Sequence, residues 1–165
     1  MSPILNSTKA LFYTKNNLIE QSQRTDYAAS KYSLWMSIVN AIKNAQNIIL
    51  STHKSSDGDG LGSEIAMFHA LHKIGKNVSF VHNDLIPSRY HFLLENTSAE
   101  NFLSLQSVPN TPIDLALIFD THDPLLCSPL FETLKEKNVP TYFIDHHIKI
   151  KNAPEDSFLL IDEYA

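Results

Sequence analysis

Three short stretches hold residues that could do chemistry together. The first, "STHKSSDGDGLGSE" at 51–64, carries His53, Asp57 and Asp59 among three glycines and follows the apolar run Ile48-Ile49-Leu50. The second, "DTHD", places Asp120 and Asp123 after "LALIF", and the third, "DHH", places Asp145, His146 and His147 after "TYFI". Carboxylates gathered within a few ångströms repel and raise one another's pKa unless cations sit between them. Oxygen donors mixed with imidazole suit manganese, magnesium or iron better than a metal selected by thiolates. The ligands suffice for two ions, and a pair about 3.5–4 Å apart can stabilise both the attacking water and the leaving oxygen of a phosphoryl transfer.

Blander readings compete. "DGDG" alone is also a turn or a calcium loop, although it lacks the acidic spacing and closing Glu of an EF-hand. A lone "HH" is more often a surface pair or a satisfied core histidine. Three such clusters, each at the end of an apolar run, favour a metal site over turn chemistry. Gly58 and Gly60 are expected to bend the chain so that Asp57 and Asp59 both point into the site. Gly62 and Ser63 are expected to open the next helix, whose N–H groups could hold a phosphate oxygen. Arg89 is a candidate phosphate donor, weighed against a surface ion pair. His69, His72, His82 and His91 are expected to pack or face solvent, and for His122 a secondary role near the metals stays open. The aromatics Phe80, Tyr90, Phe92, Phe119, Tyr142 and Phe143 lie in apolar runs and are expected in the core.

The elements that must position these residues read as strand, helix, strand, repeated. A helix is expected from Ser30, with Leu34, Trp35, Ile38, Ile42 and Ala45 on its buried face. Strands are expected at 47–52, 77–82, 113–119, 139–144 and 157–161, the last ending in Asp162. Helices are expected at 62–74 and 129–137, with Gly75 as a stop signal and Pro129 in a first turn. Residues 87–112 are irregular, with one or two helical turns in "PSRYHFLLEN". Mostly apolar strands alternating with helices argue for an α/β fold, a Rossmann-like, mostly parallel sheet with helices on both faces. In such sheets ligands collect beyond the carboxyl ends of the strands, near the topological switch point, so the three clusters converge on one edge.

With 165 residues, 43% hydrophobic and 19% charged, the chain reads as one globular domain over 30–165, preceded by a polar leader or docking arm over 1–29. A formal charge of -5 and a pI near 5.8 argue against a broad basic surface for duplex DNA. The single Cys127 excludes an internal disulfide framework and a multi-thiolate zinc site, which suits a reducing cytoplasm. No stretch approaches the roughly 20 apolar residues of a membrane span, and no basic flank precedes an apolar signal core. The expectation is a soluble, unexported protein without membrane partners.

Taken together, "THKSSDGDGLGS", "LALIFDTHD" and "YFIDHH" resemble the DHH family of phosphoesterases, in particular the branch of nanoRNases and pAp phosphatases, over roughly residues 34–165. The resemblance implies His53 and Asp57 as ligands of one manganese, Asp59 and His146 as ligands of a second, and Asp120 as the bridge. It implies that Asp145 orients the histidine pair through a hydrogen bond and that His147 stands near the scissile phosphate, to orient substrate or assist the leaving group. The implied reaction is attack of a metal-bound hydroxide on the phosphorus of a short oligoribonucleotide, a linear dinucleotide or pAp, with magnesium an alternative to manganese. In the family the DHH domain continues into a further metal-binding aspartate and a smaller C-terminal domain with a glycine-rich substrate clamp. The sequence stops at Ala165 before either, so the resemblance implies a truncated N-terminal part with weak or absent activity of its own. The competing expectations are a catalytically inactive binding or interaction module, a RecJ-type single-strand exonuclease and a type II pyrophosphatase. Homodimer formation stays open.

Overall fold

The structure is a computed structural model that describes residues 32–148, 150, 153–154 and 158–161. The chain divides into two compact units, Met1–Ser37 and Ile38–Ala165. In the first, the described residues 32–37 are helical. The leader expected over 1–29 lies outside the described residues, as does Asp162.

The second unit opens on helical residues 38–44 (α1) and continues through β1 (Asn47–Thr52), α2 (Gly58–Lys73), β2 (Asn77–Phe80), β3 (Leu115–Phe119), α3 (Leu130–Glu136), β4 (Thr141–Asp145) and β5 (Phe158–Ile161). The five strands pair in parallel in the order β2-β1-β3-β4-β5. Strands buried on both faces need no polar alternation, which is why Ile48-Ile49-Leu50 of β1 and "LALIF" of β3 read as continuous apolar runs. The register sets Ile49 beside Ala116 and Ile118 beside Phe143, and these pack with Leu130 and Leu134 of α3 in one core. The alternate residues Leu50, Leu117 and Phe80 face the other side, where Phe68 of α2 meets Phe80 with ring centroids 5.0 Å apart. This is the α/β fold expected from the sequence. The chain leaves β1 for β2 on one side and returns to β3 on the other, so the carboxyl ends of β1 and β3 flank the switch point.

The main departure from the sequence reading is the start of α2, which begins at Gly58 and not at Gly62. Asp57 is its N-cap and accepts hydrogen bonds from the N–H groups of Asp59 and Gly60. A capping aspartate followed by glycines resembles a turn in composition while its backbone is already helical. Gly58 and Gly60 therefore serve close packing, not a bend. A Cβ on Gly60 would collide with Thr52 Oγ1 and stand 3.0 Å from Thr52 Cβ, and one on Gly58 would stand 3.3 Å from the Tyr90 ring, whereas Gly62 has nothing within 4 Å. Other boundaries shift by a residue or two. β4 begins at Thr141 because Pro140 has no N–H to give the ladder, although its carbonyl still accepts from Ala116. Residues 88–110 hold three 3-10 helices, Ser88–Leu94, Ala99–Asn101 and Leu105–Asn110. Trp35 is 50% exposed and Phe92 63% exposed, contrary to expectation. Trp35 lies a 100° step round the helix from Leu34, at the margin of the expected apolar stripe.

Behind the sheet edge, Glu64 of α2 is fully buried. Its Oε2 meets His82 Nε2 at 2.8 Å, and its Oε1 has no hydrogen-bond partner among the described residues. Burial pushes the Glu64 carboxyl above its ordinary value against the pull of His82. A carboxyl raised in this way binds its proton more tightly in the folded chain, so its contribution to stability falls as pH rises between the unfolded and folded pKa.

Two outcomes follow for the metal-free chain in chelator. In urea unfolding, Gly60→Ala should lose about 1–3 kcal/mol through overpacking against Thr52, while Gly62→Ala should gain about 0.5–1 kcal/mol of helix propensity. Equal effects at the two positions would refute the close-packing assignment. The stability of wild type relative to Glu64→Gln should decline as pH rises above the ordinary glutamate range. A difference that does not vary with pH would mean that Glu64 titrates normally in the folded chain.

Candidate metal centre

His53 is the first residue past β1, and its loop is pinned from two sides. Lys54 N donates to Leu126 O at 2.8 Å, and Ser55, in left-handed backbone at φ 60°, donates its N–H to Asp84 Oδ2 at 2.8 Å. His53 Nδ1 lies 2.8 Å from Lys54 O. A carbonyl only accepts, so Nδ1 donates to it, and in the neutral form of the ring Nε2 keeps its lone pair. That nitrogen stands 3.5 Å from Asp120 Oδ2 and 3.9 Å from Asp57 Oδ1. Burial pushes the Asp57 carboxyl up, but the amides of Gly60 and Asp59, with His53 and Asp120, outweigh it and hold the group below the usual carboxylate range.

Asp120 is the first residue past β3. Its N–H still donates to Ile144 O of β4 at 2.9 Å, while its backbone turns left-handed at φ 60°. Asp is among the few residues that tolerate this region. The side chain is 5% exposed, and Oδ1, although buried, has no hydrogen-bond partner among the described residues. Burial raises the Asp120 pKa, and the charges of Asp59 and Asp57 raise it further.

β4 ends at Asp145, whose Oδ1 accepts from His146 N at 2.8 Å, His147 N at 3.1 Å and His147 Nδ1 at 2.7 Å, while Oδ2 accepts from His122 Nδ1. Burial works against the charge on Asp145, yet the His122 and His147 donors prevail and hold its carboxyl below the usual range. In return, donating this hydrogen bond to Asp145 holds His147 above the ordinary histidine value. His146 directs Nε2 to within 3.5 Å of Asp59 Oδ2 and 3.4 Å of Asp120 Oδ1.

Two groups of donor atoms are close enough to hold an ion, His53 with Asp57 and Asp120, and Asp120 with His146 and His147. Asp120 belongs to both. In the second group His147 Nδ1 is also hydrogen-bonded to Asp145, and Asp59, 3.5 Å from His146 Nε2, lies outside both groups. Donors about 2.1 Å from one octahedral ion stand about 3 Å apart, close to the 3.4–3.9 Å gaps between these imidazoles and carboxylates. The bare His53 Nε2 and the orphaned Asp120 Oδ1 therefore fit a cation. The cleft over them, about 370 Å³, is lined by Asp57, Asp120, Asp123, Asp145 and three histidines, with Thr121, Leu126 and Ile150.

Of the expected site residues, Asp59, His146, Ser63 and Arg89 do not line this cleft. Ser63 falls in the second turn of α2, whose first amides go to Asp57, and the Arg89 guanidinium lies 4.7 Å over the ring of Tyr90. Asp123 caps the 3-10 helix Pro124–Leu126 by accepting from Leu125 N. His69 and His72 are exposed on α2, His82 pairs with Glu64, and His91 Nε2 bonds Ile86 O at 3.1 Å. Residue type alone assigns His122 no definite task. Its position inside "DTHD" is the only signal, and no spacing rule links it to Asp145.

No curated protein sequence matches the chain. Among solved structures, an exopolyphosphatase-related protein from Bacteroides fragilis superposes with a TM-score of 0.67 at 17% identity, over 80% of this chain and 39% of that one. At that identity the likeness is one of fold, and the chain spans well under half of the neighbour's length. The profile of the DHH family, N-terminal domain, matches residues 47–164, from the first residue of β1 past the end of β5. With its three strand-end clusters inside that match, the chain belongs to the DHH family.

Proposed function

We propose that this domain is the metal-binding half of a phosphoesterase that uses two manganese ions to hydrolyse short oligoribonucleotides, linear dinucleotides or pAp. The observation that carries the reading is Asp120, a buried carboxylate with an unpartnered oxygen, shared by two imidazole–carboxylate groups. His53 and Asp57 would hold one ion, Asp59 and His146 the other, and Asp120 both. When bound, such a pair polarises a phosphoryl group and supplies a nucleophile at neutral pH.

The chain's own residues do the rest. Asp57 spends one oxygen on the α2 amides, which fixes the carboxylate against rotation. Asp145 favours the charged form of His147 and holds its Nδ1–H, leaving Nε2–H as a donor to the phosphate or the leaving oxygen. A cleft of about 370 Å³ suits one nucleotide or the end of a short oligomer. The net charge of -5 supplies no basic track for a long strand, which disfavours a processive single-strand exonuclease.

Calorimetric titration with manganese, on wild type and on Asp120→Asn, tests this. The amide keeps the left-handed backbone and removes the bridging charge. Affinity should fall by more than ~100-fold, beyond the 10–100-fold that outer hydrogen-bond partners carry. An RNA dinucleotide in the same samples should be cleaved slowly, with manganese required and Asp120→Asn inactive. No manganese uptake by wild type would overturn the metal centre. Uptake with pyrophosphate cleaved in place of the dinucleotide would overturn the substrate class.

A further inference from the structure

We infer that His122 is a positioning residue that locks the Asp145–His146–His147 turn in the geometry of the metal centre, an inference that rests on the reading of that centre as metal-binding. The His122 side chain is 2% exposed, and both ring nitrogens are engaged. Nε2 accepts the N–H of Ile150 at 2.9 Å, and Nδ1 meets Asp145 Oδ2. An amide only donates, so Nε2 is bare, Nδ1 carries the proton, and the ring donates to the carboxylate. His122 thus has no lone pair for an ion, although it stands two residues after Asp120.

The consequence runs through Asp145. With its side chain 1% exposed, this carboxylate spends Oδ1 on the amides of His146 and His147 and on the His147 ring. Oδ2 takes its hydrogen bond from His122. Removing that donor leaves the oxygen buried and unpaired, and relieving the deficit means rotating the carboxylate about its broad terminal torsion. Rotation pulls Oδ1 away from three donors at once and frees the turn that holds His146 within 3.5 Å of Asp59 and Asp120. One ring thereby ties the loop after β3, the end of β4 and the segment at Ile150, and sets Asp120 and His146 relative to each other.

The test compares manganese affinity by calorimetry, and metal-free stability by urea unfolding, in wild type, His122→Ala and His122→Asn. The Asn amide reaches Asp145 from the position of Nδ1 but is too short to accept from Ile150. His122→Ala is expected to bind manganese 10–100-fold more weakly, and His122→Asn to recover affinity to within about threefold of wild type while keeping the stability loss that follows from the free Ile150 amide. Affinity that tracks stability in both variants would reduce His122 to a packing role and overturn the inference. If His122→Ala does not fold, His122→Asn decides alone, since a tenfold loss there overturns the inference and near-wild-type affinity upholds it. Manganese uptake unchanged in His122→Ala overturns this inference only. No uptake by wild type overturns the reading of the centre and the inference with it.

Discussion

The carboxylate of Asp120 lies almost out of solvent at the end of the central strand, with imidazoles from both neighbouring strands turned toward it. A buried charge needs donors or a counter-charge. Oδ1 lacks a hydrogen-bond donor among the described residues, and the adjacent carboxylates Asp57 and Asp59 make the shortage worse. Left-handed backbone at this position adds about 1–2 kcal/mol, tolerated because the residue's N–H remains in the ladder to Ile144. Strain, burial and an orphaned oxygen at one residue are the combination expected where a site is preformed for something it must bind.

Three carboxylates of the cleft, Asp57, Asp120 and Asp145, differ in what meets them. Asp57 takes two amides from the first turn of α2, and Asp145 takes two amides and two ring N–H groups. Both are held as anions by the protein itself. Asp120 receives no comparable set, and its pKa moves the opposite way. Environment therefore divides identical side chains into two whose charge is met by donors and one left with an unpartnered oxygen. The division depends on the parallel sheet. Only a central strand with neighbours on both sides can present one carboxylate to His53 from β1 and to His146 from β4.

Apolar runs bounded by polar clusters make the five strands and the α/β class legible in the sequence, because a strand buried on both faces has no other way to appear there. The convergence of 53–59, 120 and 145–147 follows from the switch-point rule. The start of α2 does not, since "DGDG" has the composition of a turn and its helical backbone is fixed by the Asp57 cap and by the room Gly60 leaves for Thr52. The turns expected in "PSRYHFLLEN" form the first of three 3-10 helices between β2 and β3, and the two later ones escape for a related reason, as short helices carry no apolar period. The sequence places Ser63 and Arg89 by chemistry without geometry, and the cleft is lined by neither.

The "DTHD" stretch shows where reading by residue type runs out. Its first aspartate faces the cleft, its last caps a 3-10 helix, its threonine accepts the N–H of Asp123, and its histidine reaches a residue twenty-three positions away. All four are polar and all four lie within one turn of chain, so proximity along the sequence would assign them to one metal shell. What separates them is the left-handed step at Asp120, which turns the chain off the sheet and sends the following side chains to different partners. A site of this kind is specified less by how many ligand-type residues it contains than by which of them the backbone leaves without a donor.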